Sequence, residues 1–299
     1  MTSTIGIVFD DVFYDHDTGA RHPECPERLS AVREAIETVP HVPIAPRPAT
    51  IDEVTAVHDA DYVERLRTAI ATGVTQLDPD TAASSRSFDI ALEAAGSGLA
   101  LYEALQAGKI QHGFAAVRPP GHHATRNRAM GFCLLNNIAI LARYLTTHGV
   151  RTGVFDWDVH HGNGTIDIFE SDSSVPVWNL RQEGLWPVAG RLPPLPDHIV
   201  DVALPAGSGN EEYLEAFEGR ILPAIRAHDP EILLISAGFD AHEKDPLANQ
   251  CLTEDAYRVM TEQLRSRPIL SMLEGGYDFD GLRLSIEAHL SALSADPLS

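Results

Sequence analysis

The dominant feature of the sequence is an alternation of short apolar runs with longer segments of helical periodicity. The apolar runs predict strands at residues 5–9, 113–117, 153–157, 175–180, 231–236 and 268–273. The segments between them predict helices at residues 25–37, 87–106, 135–147, 211–227, 253–265 and 281–294. Strands that alternate with helices are typical of an α/β fold, in which helices cover both faces of a mainly parallel sheet.

This pattern continues through the 299 residues without a linker, a low-complexity tract or an internal repeat. The longest loop, residues 182–197, is rich in proline but is flanked by strand-like sequence. We therefore expect residues 1–299 to form a single domain.

The chain is strongly acidic. It has 22 Lys and Arg residues against 43 Asp and Glu residues, which gives a formal net charge of -21 at pH 7. The sequence contains no basic stripe that could neutralise a phosphate backbone, so nucleic acid is not an expected partner. An acidic surface favours solubility and weakly attracts cationic substrates.

The cysteines and the apolar runs predict the compartment. Cys25, Cys133 and Cys251 are far apart and form no CxxC motif, as expected in a reducing environment. No signal-peptide pattern opens the sequence, and no window reaches the ~18 continuous apolar residues of a membrane span. The sequence therefore predicts a cytoplasmic protein with no membrane partner.

Chemically active residues follow the predicted strands, where ligands bind in open parallel sheets. Asp156, Asp158 and His160 alternate along an extended segment and should share one face. Burying two carboxylates with an imidazole requires a cation or a dense hydrogen-bond network. The alternative is that Asp158 caps the next helix and His160 is exposed. Asp240 follows another strand and should lie at the same edge.

Asp158, His160 and Asp240 would form an oxygen and nitrogen donor set that suits a catalytic divalent ion. Zinc is the first choice, and Fe(II), Co(II) and Mn(II) also fit these donors.

Two further strand ends offer proton-handling groups. The proline-stiffened turn at residues 118–124 carries His122 and His123, which could act as a general base beside a metal-bound water. Tyr277, after two glycines, could stabilise an oxyanion, or it could pack at the edge of an ordinary turn. Together these groups predict hydrolysis of an amide by metal-bound water.

The residues resemble the zinc-dependent histone deacetylase superfamily, in particular its class II and bacterial deacetylase-like members, with acetylpolyamine amidohydrolases among the relatives. The resemblance extends from about residue 16 to about residue 281. It rests on the ordered motifs at residues 22–29, 118–123, 131–133, 136–137, 156–165, 236–246 and 274–277.

The resemblance implies an arginase/deacetylase-type α/β domain with a mainly parallel, eight-stranded sheet. It implies one Zn²⁺ per chain on Asp158, His160 and Asp240. By similarity, His123 is the general base and then acid, and His122, paired with Asp156, orients and electrostatically tunes His123. Tyr277 polarises the scissile carbonyl alongside the metal.

The resemblance also implies a substrate tunnel and a second ion. The residues of the tunnel and its rim would be Asp80, Gly131, Phe132, Trp186 and Leu247, and Arg28 would line an internal acetate-release channel. K⁺ is implied as a structural ion at Asp156, Asp158, His160, Asn179 and Leu180.

This chain departs from its relatives at several positions. Asn163 follows the class II pattern, and Arg181 replaces a histidine before the divergent loop at residues 182–196. Leu247 stands where polyamine-selective relatives carry a gating glutamate, which favours acyl-lysine over acetylpolyamine.

The leading hypothesis is removal of an acyl group, chiefly acetyl, from acyl-lysine. The alternatives are an acetylpolyamine amidohydrolase, a dimanganese ureohydrolase of the same architecture, and a non-catalytic acyl-binding or metal-dependent module. The expected partner is an acyl-lysine peptide or a small acylated amine. The oligomeric state stays open, with a homo-oligomer among the options.

Overall fold

An eight-stranded sheet forms the centre of the protein, whose computed structural model describes residues 3–188 and 192–295. The strands in chain order are β1 (Ile5–Val8), β2 (Val42–Pro43), β3 (Gln76–Asp78), β4 (Thr81–Ala82), β5 (His112–Ala115), β6 (Thr152–Asp156), β7 (Val177–Gln182), β8 (Ile199–Leu204), β9 (Ile232–Ala237) and β10 (Ile269–Leu273). The large sheet has the order β2-β1-β5-β10-β9-β6-β7-β8, and all its neighbouring strands are parallel. Strands β3 and β4 form a separate antiparallel pair.

Helices connect these strands. They are α1 (Arg28–Glu37), α2 (Ile51–Thr55), α3 (Ala60–Ala71), α4 (Ser87–Gln106), α5 (Asn137–Thr147), α6 (Asn163–Phe169), α7 (Asn210–Ala216), α8 (Leu222–His228), α9 (Glu254–Leu264) and α10 (Phe279–Ser294). A short 3₁₀ helix covers Asp11–Asp15, and a π-helical turn over Phe217–Ile221 joins α7 to α8.

The core lies on both faces of the sheet. One face packs against α4 and α5 through buried side chains such as Leu99 and Ile138. The other face packs against α1, α9 and α10 through side chains such as Val32, Met260 and Ile286. Because both faces are covered, the central strands read as continuous apolar runs, which confirms the predicted α/β class.

The predicted segments left out several short elements and the 12-residue helix α3. Strands β2, β3, β4 and β8 and helices α2, α3 and α6 were not among the predicted segments. Strand β8 lies at the edge of the sheet and is apolar apart from Asp201, so its apolar run was an available signal.

Several predicted boundaries shift by two or three residues. Helix α1 begins at Arg28 rather than at Cys25, after a turn in which the Arg28 N–H donates to the Cys25 carbonyl. Helix α5 begins at Asn137 because the Asn136 side chain caps it by accepting from the Ala139 N–H. Strand β7 runs from residue 177 to residue 182 instead of from 175 to 180.

In the part of the chain that the structure describes, no helix combines the length and the apolarity needed to cross a membrane.

Buried neutral histidines make the fold sensitive to acid. His289 is fully buried between the hydroxyls of Thr261 (2.7 Å) and Ser271 (3.0 Å), and burial lowers its pKa to about 3. Burial similarly lowers the pKa of His58 and of His112 to about 4. Below pH ~6.5 the unfolded chain protonates these rings while the folded chain does not, so stability falls as the pH drops toward those values.

We expect the free energy of unfolding to fall less steeply with acid in His289→Gln, because glutamine keeps a polar side chain that does not titrate. The slope between pH 6 and pH 4 should differ from that of the wild type by up to about 1.4 kcal/mol per pH unit. Urea unfolding at a series of pH values measures both slopes. Identical slopes would contradict the assignment of a neutral His289.

Candidate active site

Four neighbouring strands carry the site. Strands β5, β10, β9 and β6 are adjacent in the sheet and parallel, so their carboxyl ends meet at one edge. The chain leaves these ends through the segments at residues 116–124, 274–277, 238–240 and 157–162. Residues that are far apart in sequence are therefore brought together.

Asp158, His160 and Asp240 form one compact group. Each offers a ligand atom, and these atoms all lie within 4.8 Å of one another. His160 Nδ1 is 2.9 Å from Asp240 Oδ2 and 3.1 Å from Asp158 Oδ1. This is the group of three that the sequence places at the strand ends, and both carboxylates are buried.

Backbone N–H groups fix the two carboxylates. The Val159 N–H donates to Asp240 Oδ1 and the Gly275 N–H donates to Asp158 Oδ2, both at 2.9 Å. A side chain at Gly275 would collide with both carboxylates, so glycine allows this close approach of the backbone.

The donor set fits a divalent cation. Burial and the adjacent Asp158 carboxylate raise the pKa of Asp240, because two like charges are held together away from water. Although burial disfavours a charged ring, hydrogen bonds to both carboxylates raise the pKa of His160 to about 10. A positive charge between these groups would therefore stabilise the cluster. Two carboxylates with one imidazole nitrogen are suitable ligands for zinc and similar ions.

Asp156 is not one of the three converging ligands, but its carboxylate and that of Asp158 both face the His122 ring. Strand β6 ends at Asp156, and the chain bends after it. Asp156 Oδ1 accepts from the Asp158 N–H (3.1 Å), and Asp156 Oδ2 lies 2.9 Å from His122 Nδ1.

His122 and His123 lie side by side with ring centroids 3.9 Å apart. His123 Nδ1 is 2.7 Å from Asn163 Oδ1, and its ring centroid is 5.9 Å from that of His160. Because an amide oxygen can only accept, His123 Nδ1 carries the proton and Nε2 is left as an acceptor.

The two imidazoles differ in pKa. Burial opposes protonation of both, but the carboxylates of Asp158 and Asp156 raise the pKa of His122 well above its usual value. Burial and the neighbouring His122 and His160 lower the pKa of His123 well below its usual value. A charged ring and a neutral ring therefore stand next to each other.

Tyr277 is held through its ring and its backbone. The guanidinium carbon of Arg28 lies 5.0 Å from the Tyr277 ring centroid, and the Phe132 ring is 5.9 Å away. Arg28 also donates to the carbonyl of Gly276 (2.7 Å). The Tyr277 N–H donates to Asp245 Oδ2 (2.7 Å).

The structure places most of the residues expected at the substrate rim close to His123 or Tyr277. The Trp186 ring lies 4.9 Å from that of His123, although 42% of the residue is exposed. Asp80 Oδ1 accepts from the N–H of Gly131 (3.1 Å), the residue before Phe132. Leu247 is half-buried.

Two other positions from the sequence have identifiable partners. Arg181 is buried and forms an ion pair with Asp201 on β8 (2.8 Å). Asn179 accepts from the Gly162 N–H (3.0 Å) and donates to the Asp156 carbonyl (3.2 Å), so it lies beside the segment expected to bind K⁺. Leu180 follows it in β7.

Sequence reasoning gave no role to two buried carboxyl groups that contact this region, Asp245 and Glu274. Asp245 accepts from the backbone of Tyr277, and Glu274 accepts from the backbone of His122. Glu274 directly follows β10 at the carboxyl edge of the sheet, and this position was the available signal.

A buried pair of imidazoles beside two carboxylates and a third imidazole, at the carboxyl edge of a parallel sheet, is suited to hydrolysis. The model of the histone deacetylase domain matches residues 22–293. The chain therefore belongs to the histone deacetylase family, and it is a hydrolytic deacetylase or amidohydrolase.

Individual relatives agree with this family. A probable deacetylase of Methanothermobacter thermautotrophicus is 37% identical over 97% of this chain and 91% of its own length. A histone deacetylase-like amidohydrolase of Pseudomonas aeruginosa is 33% identical over 86% of this chain and 72% of its own length. The crystal structure of the HDA15 HD domain matches with a TM-score of 0.89 and 34% identity, covering 97% of this chain and 91% of that one.

We expect Asp158→Ala to abolish retention of a divalent ion, because the variant loses one of three converging ligands. The wild type should keep about one ion per chain after dialysis, measured by elemental analysis. Asp172→Asn is the matched control, since Asp172 pairs with Arg143 at the surface. Equal metal content in all three proteins would contradict this ligand assignment.

Proposed function

We propose that this protein is a zinc-dependent deacetylase that hydrolyses the acetyl amide of acetyl-lysine side chains. The observation that carries the proposal is the convergence of Asp158, His160 and Asp240 beside His122 and His123. Water attacks the acetyl carbonyl, a C–O bond forms and the C–N bond breaks. The products are acetate and the free amine.

The resident ion would be held by the two aspartates and by Nδ1 of His160. When bound, a divalent ion supplies Lewis acidity that activates water and polarises the carbonyl. Zinc is favoured because it accepts mixed carboxylate and imidazole ligands while keeping positions open for water and substrate.

His123 is proposed as the general base. Its Nε2 accepts the proton from the attacking water, because Nδ1 is already committed to the Asn163 amide oxygen. The same nitrogen then delivers this proton to the leaving amine. His122 stays charged beside the carboxylates of Asp158 and Asp156 and favours the negative charge that develops on the carbonyl oxygen.

Tyr277 is proposed to donate its hydroxyl hydrogen to that oxygen. Burial raises the pKa of Tyr277 well above its usual value, so the phenol keeps its proton. The Arg28 guanidinium and the Phe132 ring both pack against the aromatic ring.

An acyl-lysine chain is the favoured substrate because the rim offers apolar walls for its methylene groups. Trp186 supplies aromatic surface near His123 and Phe132 supplies it near Tyr277, while Gly131 adds no side chain. Asp80, near the Gly131 N–H, is proposed to grip the backbone of the substrate. Leu247 adds no charge that would select a polyamine.

A small acetylated amine is the second candidate, and the net charge of -21 favours it because an acidic protein attracts cationic substrates. K⁺ is proposed as a structural ion near Asn179, where backbone oxygens of the segment from Asp156 to His160 would bind it.

We expect His123→Ala and Tyr277→Phe each to lower kcat by at least about 100-fold, because each removes a group that acts in the transition state. Release of acetate from an acetyl-lysine peptide measures the rate. Circular dichroism and bound metal should match the wild type. Rates near the wild-type value would contradict the assigned roles.

The substrate is tested by comparing kcat/KM for acetyl-lysine peptides, acetylputrescine and acetylspermidine with zinc-loaded protein. We expect the peptides to be preferred by about 10-fold or more. If kcat/KM is higher for the small amines, the substrate is an acetylated amine and not acetyl-lysine. A lack of turnover on every acylated amine would refute the proposed function.

A further inference from the structure

Glu274 is a buried carboxyl group without an assigned task. It follows β10 directly, and its side chain is fully buried at the sheet edge that carries the candidate site. Its charge is costly there, because burial and, to a lesser extent, the Asp156 carboxylate raise the pKa of Glu274 to about 7. A group kept in such a position needs specific partners.

These partners are the backbone N–H groups of two consecutive residues, the second of which is the first histidine of the pair. Glu274 Oε2 accepts from the N–H of Gly121 (2.6 Å) and from the N–H of His122 (3.1 Å). Its other oxygen, Oε1, accepts from the Ser236 hydroxyl (3.2 Å). The Glu274 side chain, directly after β10, thus connects the turn that follows β5 to the end of β9 by hydrogen bonds.

The turn is also anchored at its carbonyls, since that of His122 accepts from the N–H groups of Gly164 (3.0 Å) and Thr165 (3.2 Å). Among the residues that the structure describes, Glu274 is the acceptor found for both of these N–H groups. On the far side of the turn, the Asn137 side chain donates to the Pro119 carbonyl (3.0 Å). The His122 ring is held by Asp156. Glu274 therefore fixes the N–H of a residue whose carbonyl is held by α6 and whose ring is held by another carboxylate.

Glu274 is itself held rigidly. Its N–H donates to the Ala237 carbonyl (3.1 Å), and its carbonyl accepts from Arg28 Nη2 (2.7 Å). Arg28 is buried and also contacts Tyr277. A shift of the Glu274 side chain would thus move the turn against a stationary sheet.

From this geometry we infer that Glu274 is a positioning residue, which sets the His122 and His123 rings by accepting two backbone hydrogen bonds at the start of their turn. It acts through these histidines and does not touch the substrate. The inference rests on the proposed deacetylase function for its rate measurements. This positioning role requires an acceptor atom at hydrogen-bond distance from the two N–H groups, and it does not require a negative charge.

Two variants separate distance from charge. Glu274→Gln keeps the length and an acceptor oxygen but is neutral, and its amide can donate to the Ser236 hydroxyl. Glu274→Asp keeps the charge but withdraws the carboxylate by about 1.5 Å, one carbon–carbon bond. The Asp variant leaves two buried N–H groups without their acceptor.

We expect Glu274→Gln to retain kcat within about 5-fold and Glu274→Asp to lose about 100-fold, with KM changed by less than about 3-fold in both. The substrate is the acetyl-lysine peptide, assayed with the full, metal-loaded chain. Loss of kcat in the Gln variant with retention in the Asp variant would overturn the inference, as would equal kcat values for the two. Ser236→Ala is the matched control, since it removes the Oε1 contact alone, and its kcat should stay close to that of the wild type.

A second readout does not depend on turnover. In protein labelled with ¹⁵N-histidine, the Nδ1–H resonance of His122 reports its contact with Asp156. We expect this resonance to be unchanged in Glu274→Gln and shifted or broadened in Glu274→Asp. If both variants keep the wild-type resonance, the inference fails. An inactive wild type with this expected NMR pattern would instead refute the proposed function alone.

Discussion

The candidate site depends on two buried carboxylates, Asp158 and Asp240, that are held within a few ångströms of each other. Such like charges repel strongly where water is excluded, so the folded protein must supply positive charge between them. His160 supplies part of it through Nδ1, which lies near both carboxylates. A divalent ion in the same place would satisfy all three groups, and the proposed hydrolysis depends on it.

The parallel sheet makes this convergence possible. Strands β6, β9, β10 and β5 are neighbours, so segments separated by more than a hundred residues end at one edge. Backbone amides of the intervening segments then orient the side chains, as Val159 and Gly275 do for the two aspartates. Two buried carboxyl groups do the reverse and orient backbone amides. Asp245 accepts from the N–H of Tyr277, and Glu274 accepts from the N–H of His122.

Much of this arrangement could be predicted from the sequence. The central strands are buried on both faces, so their apolar runs are visible, and the polar residues that follow them predict the group of Asp158, His160 and Asp240. The edge strand β8 is apolar apart from Asp201, so its signal was present in the sequence although the prediction omitted it. The contact of Asp156 with His122 joins two strand ends, which a period-two pattern does not contain. The Arg181–Asp201 ion pair joins two strands whose adjacency the local pattern does not reveal.

The central claim is that one divalent ion binds between the two aspartates and the imidazole. Diffraction data from zinc-loaded crystals, collected on either side of the zinc absorption edge, test it most directly. The account predicts one strong anomalous peak about 2.0–2.2 Å from Nδ1 of His160 and from a carboxylate oxygen of both Asp158 and Asp240. A zinc peak elsewhere in the protein, with none between these three residues, would contradict it.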